Sequence, residues 1–187
     1  MIGSGRRPAC LRYPPKPAHR ILGTPVRLRL PILLAALALV PAYAAEVPFS
    51  GRTLEISGDQ GDGSIDRMLG AQYNIPGTGA DIIGRAQTCA AGVNGLTVES
   101  ADPSAGTLVL RASTDFRSGF TTRTIRSRID LGAADASFQI TESEIAVREG
   151  AGGAEAFGPL TRASGGWEKG LEALIGLENK LVDCLYR

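Results

Sequence analysis

The sequence contains little histidine, and this scarcity excludes several kinds of chemistry. Its single histidine, His19, lies in a basic N-terminal stretch that we expect to be removed. The remaining chain then has no imidazole to serve as a general base, to activate a nucleophile or to bind a metal. Ser-His-Asp and Cys-His mechanisms, and ordinary zinc sites, are therefore excluded from the processed protein.

Long apolar runs are also lacking. The run Leu30–Val40 is too short to span a bilayer, which needs about 20 residues. It follows a basic stretch and precedes "PAYAAE", where Ala42 and Ala44 provide the small residues of a cleavage site. We predict that residues 1–44 are a secretory signal and that no membrane anchor is retained, a retained anchor being the alternative. This signal predicts a periplasmic or secreted bacterial protein.

Removal of residues 1–44 changes the balance of charge. Seven of the 20 basic residues are lost and all 19 acidic residues stay, so the net charge falls from +1 to −6. A net acidic protein argues against nucleic acid as the main partner. The chain that remains has the size of one domain, in which 45–77 holds an N-terminal strand and a glycine-rich irregular segment. Residues 78–187 hold a helix, a four-strand meander and a C-terminal helix.

Cysteine is scarce as well. Of three cysteines, Cys10 lies in the predicted signal, so Cys89 and Cys184 remain. Two cysteines in an exported domain are typical of a disulfide. Their spacing is not that of a C-x-x-C redox motif, and no imidazole is present to generate a thiolate. We predict a structural disulfide between them, with a reactive or intermolecular thiol as the alternative.

Both cysteines fall on apolar stripes of predicted helices. The stretches "ADIIGRAQTCAAGV" and "GWEKGLEALIGLENKLVDCLYR" repeat apolar residues at spacings of three and four. These positions are Ile82, Ala86, Cys89, Ala90 and Val93 in the first helix, and Trp167, Leu171, Leu174, Leu177, Leu181, Cys184 and Leu185 in the second. Two such helices, lying side by side on one sheet, would bring the cysteines together.

Four segments between the helices alternate apolar and polar residues, which is typical of half-buried strands. They are "GLTVES", "GTLVLRAS", "TTRTIRSRIDLG" and "DASFQITESEI". Short turn-like links join them and predict an antiparallel meander. After Ile140 the apolar phase shifts to Ile145 and Val147, which indicates a bulge or the end of the strand.

The segment before the first helix is less regular. "GRTLEIS" predicts one more strand, whereas the glycine-rich stretch after it predicts irregular structure with one short helix near Ile65 to Leu69. The predicted fold class is therefore α+β. We expect a curved antiparallel sheet of four or five strands with two helices packed on one face.

This order of elements resembles a known family. In "ADIIGRAQTCAAGVNGLTVESADPSAGTLVLRAS" a helix leads to a strand, an Asp-containing turn and a second strand, and the hairpin "DLGAADASFQIT" and the Trp167 helix follow. Over about residues 51–187 the chain resembles a secreted bacterial domain family of unknown function whose fold is similar to one half of TATA-binding protein. The resemblance implies two helices on one face of a curved sheet. It implies no activity and no catalytic residues, and fold similarity alone does not transfer DNA binding.

No motif assigns a catalytic residue, a metal or a cofactor. "GDQGDGSID" imitates a calcium loop, but Gly58, Gln60 and Leu69 occupy positions where carboxylates are needed as ligands. The glycine-rich stretches lack the Gly-Lys-Ser/Thr ending of a phosphate-binding loop. Three glutamates could form an acid/base set, but nothing places two of them around a common point. They are Glu142, Glu144 and Glu149.

The strand phases predict an arginine-bearing surface. If Leu108 and Leu110 face the helices, then Arg111, Arg126 and Arg128 face away from them. Such a face could bind a carboxylate, a phosphate or an acidic surface of an envelope protein. The alternative is that the arginines keep an exposed sheet soluble. We therefore predict a small exported binding module of the cell envelope, with a carboxylate-dependent hydrolase or lyase and a structural envelope component as alternatives.

Overall fold

The computed structural model describes residues 45–58, 63–149 and 156–187. The predicted signal, part of the calcium-like stretch and most of the last glycine-rich loop lie outside the described residues. Within them the chain forms β1 Ala45–Phe49, β2 Arg52–Ser57, β3 Ser64–Asn74, α1 Gly79–Ala91, β4 Leu96–Asp102, β5 Thr107–Ser118, β6 Thr121–Ala134, β7 Ser137–Glu149, β8 Gly158–Pro159 and α2 Trp167–Leu185.

The strands form one antiparallel sheet in the order β1-β2-β3-β7-β6-β5-β4, with the short β8 paired to β7. The chain leaves the middle of the sheet after β3 and passes through α1 to the edge strand β4. It then returns strand by strand to β7, which pairs with β3. The last strand of the meander therefore lies at the centre of the sheet, where neighbours flank it on both sides.

The expected four or five strands were too few. The α+β class, the antiparallel meander β4–β7 and the strand predicted in "GRTLEIS", which is β2, are present, but β1, β3 and the short β8 were not expected. The expected short helix near Ile65 to Leu69 is wrong, because these residues lie in β3. A register shift between Glu55 and Ile56 lets both Ile65 and Met68 face the core, although they are three residues apart. This bulge gives a strand the apolar spacing of a helix.

A second irregularity, in β7, agrees with the shift in apolar phase after Ile140. Glu144 has a left-handed φ of 51°, and the β6–β7 register shifts opposite Arg126 and Arg128. Before this bulge Ile140 and Glu142 face the helices, and after it Ile145 does. The bulge therefore keeps apolar residues inward while it turns Glu144 outward.

Both helices pack on one face of the sheet, where their apolar stripes and the inward strand residues form a single core. α1 begins with a capping box, in which the Thr78 hydroxyl accepts from the Asp81 N–H and Asp81 accepts from the Thr78 N–H. A disulfide joins Cys89 on α1 to Cys184 on α2, with the Cα atoms 5.9 Å apart. It attaches the chain-terminal helix to its neighbour on the sheet. In the described ranges neither helix has the length and apolar character needed to cross a bilayer.

Candidate binding face

The other face of the sheet carries no helix, and strand alternation sends polar side chains to it. Leu108, Leu110 and Ala112 of β5 are buried under the helices. Arg111, which lies between Leu110 and Ala112, therefore points to the opposite face. In the register of β5 and β6, Arg111 lies opposite Arg128, and Ser113 lies opposite Arg126. The structure therefore places all three predicted arginines on the helix-free face.

Arg111 is held by carboxylates from two strands. Its Nε donates to Glu99 Oε1 and its Nη1 to Glu144 Oε2, both at 2.9 Å. The hydrogen bond from Arg111 lowers the pKa of the Glu144 carboxyl. Glu99 lies on β4 and Glu144 on β7, so Arg111 of β5 connects three strands on this face. Its charge is already compensated by these two carboxylates.

Arg128 is compensated within its own strand. Its Nη2 lies 3.2 Å from Asp130 Oδ1, and its Nε donates to the same carboxylate. Residues two apart in a strand share a face, which explains this pairing. Of the three predicted arginines, two thus have carboxylate partners on the helix-free face itself.

Arg126 has a different environment, shared with an arginine that the sequence did not single out. The Arg126 Cζ lies 4.1 Å from the centroid of the Phe157 ring, and the Arg148 Cζ lies 4.8 Å from it. Neither guanidinium has a carboxylate partner among the described residues. The Arg148 Nε is buried and lacks a hydrogen-bond acceptor in the same part of the chain. We name Arg126, Arg148 and Phe157 the arginine patch.

Strand β8 positions the aromatic ring of the arginine patch. Gly158 pairs with Val147 of β7, which places Phe157 next to Arg148 at the end of the sheet. A cation over an aromatic face is attracted by the ring quadrupole, but the ring carries no negative charge. The patch therefore keeps two positive charges on a surface where the other predicted arginines are paired.

Comparisons with known proteins bear on the fold. No family model matches the sequence, and no curated protein matches it. The fold is similar to that of a solved DUF4468 family protein from Bacteroides ovatus. The two chains are 9% identical and align with a TM-score of 0.51 over 71% of this chain and 91% of the other. A TBP-like protein from Parabacteroides distasonis aligns with a TM-score of 0.49 at 11% identity, over 70% of this chain and 96% of that one.

At these identities the similarity shows the fold alone. It supports, at the level of fold, the expected resemblance to bacterial domains of unknown function. It carries no residue of known function onto this chain, so any site has to be argued from the chain's own geometry.

The glutamates considered as an acid/base set do not converge. Glu142 is fully buried beneath the helices, where Ser127 Oγ donates to its Oε2 at 2.6 Å. Glu144 lies on the opposite face with Arg111, and the side chain of Glu149 lies outside the described residues. Two carboxylates on opposite faces of one sheet cannot act on one substrate atom. The described residues also contain no group of three or more His, Cys, Asp or Glu side chains arranged for a metal.

A second buried carboxylate, Glu178 of α2, was not anticipated. Arg52 of β2 contacts it through Nε at 3.0 Å and Nη2 at 2.9 Å, and the Tyr73 hydroxyl donates to it at 3.1 Å. The signal was present in the sequence, because Glu178 falls between Leu174 and Leu181 on the apolar stripe of the helix. A charged residue at a core position of a helix predicts a buried partner.

Proposed function

We propose that this protein is an exported binding module that recognises an acidic group of an envelope partner through the arginine patch. One observation carries the proposal: two guanidinium groups contact the Phe157 ring, and neither has a carboxylate partner among the described residues. Charges on a folded surface are usually paired or dispersed. Two cations around one ring provide a place for an anion.

The chemistry of arginine favours a carboxylate or phosphate as the group bound. A guanidinium presents several N–H donors in a planar fork, which matches the paired oxygens of such anions. The side chain of Arg126 is exposed, and the guanidinium of Arg148 lies beside the same ring. Arg111 and Arg128, in contrast, already donate to Glu99, Glu144 and Asp130. We therefore assign binding to the patch and assign the paired arginines to the support of the sheet surface.

Export is supported by the disulfide between Cys89 and Cys184, which encloses a long part of the chain. Disulfides of this kind persist in oxidising compartments such as the periplasm and are rare in the cytosol. The predicted signal in residues 1–44 agrees with this location.

The binding proposal is tested with a charge-matched pair of double variants. Arg126→Gln with Arg148→Gln removes the patch, whereas Lys169→Gln with Lys180→Gln removes the same charge from exposed positions of α2. Retention on immobilised poly-glutamate at low salt is measured first. In-cell photocrosslinking from Thr141, on the helix-free face, then identifies the partner.

The wild type and the lysine variant should be retained on the poly-glutamate matrix, and the arginine variant should pass through it. Retention should fall with added salt, because exposed charges are screened. If both double variants bind as the wild type does, the patch is not the binding surface. The arginines then serve solubility, as expected for a structural envelope component.

A further inference from the structure

The carboxyl group of Glu142 lies between the sheet and α2, and only one of its two oxygens has a hydrogen-bond partner among the described residues. The residue is 0% exposed. Its Oε2 accepts from the Ser127 hydroxyl of β6, and its Oε1 is buried with no partner in the described part of the chain. An ionised carboxylate with an orphaned oxygen is costly in a protein core.

The groups that surround Glu142 supply one positive charge for two carboxylates. Arg52 of β2 directs its Nε and Nη2 to Glu178, and it also donates to the Ser50 carbonyl and to Asn179 Oδ1. Tyr73 of β3 also donates to Glu178. Glu142 therefore has Glu178 as a negative neighbour and shares the field of Arg52, and in the described part of the chain it accepts a hydrogen bond only from Ser127.

This arrangement favours the neutral form of Glu142. Burial is the main cause, and the charge of Glu178 adds to it, so that the pKa of Glu142 rises from 4.5 to about 7. The hydrogen bond from Ser127 and the charge of Arg52 act in the opposite direction without offsetting this rise. A neutral carboxyl can also donate its proton, an option that the carboxylate lacks.

We propose that Glu142 is a proton-binding site that controls how firmly α2 is held on the sheet. With the proton bound, a neutral carboxyl lies beside the ion pair between Glu178 and Arg52. With the proton released, two buried carboxylates compete for one guanidinium, and docking of the helix weakens. This inference stands independently of the proposed binding function.

The disulfide is compatible with this pH-dependent docking of α2. Cys184 lies on α2 after Glu178 and is bonded to α1, so the C-terminal part of the helix stays attached when the packing at Glu178 loosens. The helix can then return to the same site when the proton is bound again. An exported protein meets changes in external pH that a buried carboxyl of this kind would sense.

The test is amide hydrogen exchange of α2 in the oxidised protein between pH 5 and pH 8, with rates corrected for intrinsic chemical exchange. A carboxyl whose pKa is raised in the docked state stabilises that state at low pH, and the stabilisation is lost as pH rises to the raised pKa. The opening constant of α2 amides should therefore rise about tenfold per pH unit from pH 5 and level off above pH 7.

Three comparisons make the result decisive. Glu142→Gln should abolish the pH dependence, whereas Glu144→Gln, which removes a carboxylate two residues away on the opposite face, should leave it as in the wild type. Amides of β6 should respond less than those of α2. A flat profile in the wild type, a persistent slope in Glu142→Gln, or equal slopes in α2 and β6 would each overturn the proposal. The flat or sloping profile is measured on the wild type alone, so this part of the test remains valid even if a variant folds poorly.

Discussion

Glu142 and Glu144 lie two residues apart on one strand, yet the two faces of the sheet give them opposite properties. Glu142 is buried under the helices, and the pKa of its carboxyl is raised to about 7. Glu144 lies on the helix-free face, where the hydrogen bond from Arg111 lowers the pKa of its carboxyl. The bulge with its left-handed Glu144 separates the two environments. Burial and partner, rather than residue type, decide what a glutamate does here.

The difference extends to the ion pairs on each face. The pair between Arg52 and Glu178 joins α2 to the sheet, and its side chains are 9% and 1% exposed. The pair between Arg111 and Glu144 joins strands that are already held by backbone hydrogen bonds, and its side chains are 34% and 57% exposed. The first pair should therefore matter for stability and the second mainly for the character of the surface.

Breaking the buried pair should have the largest effect. Glu178→Gln removes the charge that compensates Arg52 while it keeps the shape of the side chain. A buried ion pair broken at one partner typically costs about 3 kcal/mol or more, because the other charge is left buried. Urea unfolding at neutral pH measures the change. Glu172→Gln, at an exposed position of the same helix, is the control and should change stability by less than about 0.5 kcal/mol.

A loss as small for Glu178→Gln as for the control would mean that Arg52 finds water or another acceptor. The helix-covered face would then not differ from the open one in the way we describe.

Two glycines of α2 allow the packed side of the helix to be compared with its open side. A Cβ at Gly170 would lie 3.0 Å from Ile125 Cδ1 and 3.3 Å from Phe116 Cζ, whereas a Cβ at Gly176 would have no contact within 4 Å. Gly→Ala improves helix propensity by about 1 kcal/mol, and overpacking a core costs about 1 to 3 kcal/mol. Gly170→Ala should therefore destabilise by about 1 kcal/mol, and Gly176→Ala should stabilise by up to about 1 kcal/mol.

Thermal unfolding of the two variants beside the wild type measures both signs in one experiment. Stabilisation by both substitutions would show that the core under Gly170 yields easily. In that case the close approach of α2 to the sheet is not maintained by the glycine.

Sequence periodicity predicted the parts of the fold in which local pattern and tertiary structure agree. The meander alternates apart from a bulge in β4 after Val98 and the bulge in β7. The apolar stripes place Cys89 and Cys184 on helix faces that the structure joins by a disulfide. β3 was missed because a bulge spaces Ile65 and Met68 as in a helix, and because pairing with β2 and β7 stabilises a glycine-containing strand. Long-range pairing of this kind leaves little trace in local pattern.

In the candidate site, too, the features set by local pattern were predictable and those set by tertiary contacts were not. Strand phase was sufficient to place Arg111, Arg126 and Arg128 on one face, since that depends on local alternation. It could not reveal which of them meet carboxylates. Nor could it reveal that Phe157 and Arg148 would join Arg126, because β8 is only two residues long and has no alternating pattern of its own. The buried glutamates were visible as charges on apolar stripes, but their partners come from β2, β3 and β6.

The smallest expected effect belongs to the exposed pair. Arg111→Gln breaks the contacts with Glu99 and Glu144 on the helix-free face, where water and salt replace them readily. Exposed ion pairs contribute about 0 to 1 kcal/mol, so the variant should unfold within about 1 kcal/mol of the wild type. The difference should also shrink at about 1 M salt, where the screening length falls to about 3 Å, whereas the loss in Glu178→Gln should persist because its partner is buried. Urea unfolding of both variants at low and high salt separates the two faces directly. An Arg111→Gln loss as large and as insensitive to salt as that of Glu178→Gln would show that the helix-free face is held together by its charges, and the division between a stabilising face and a recognition face would have to be abandoned.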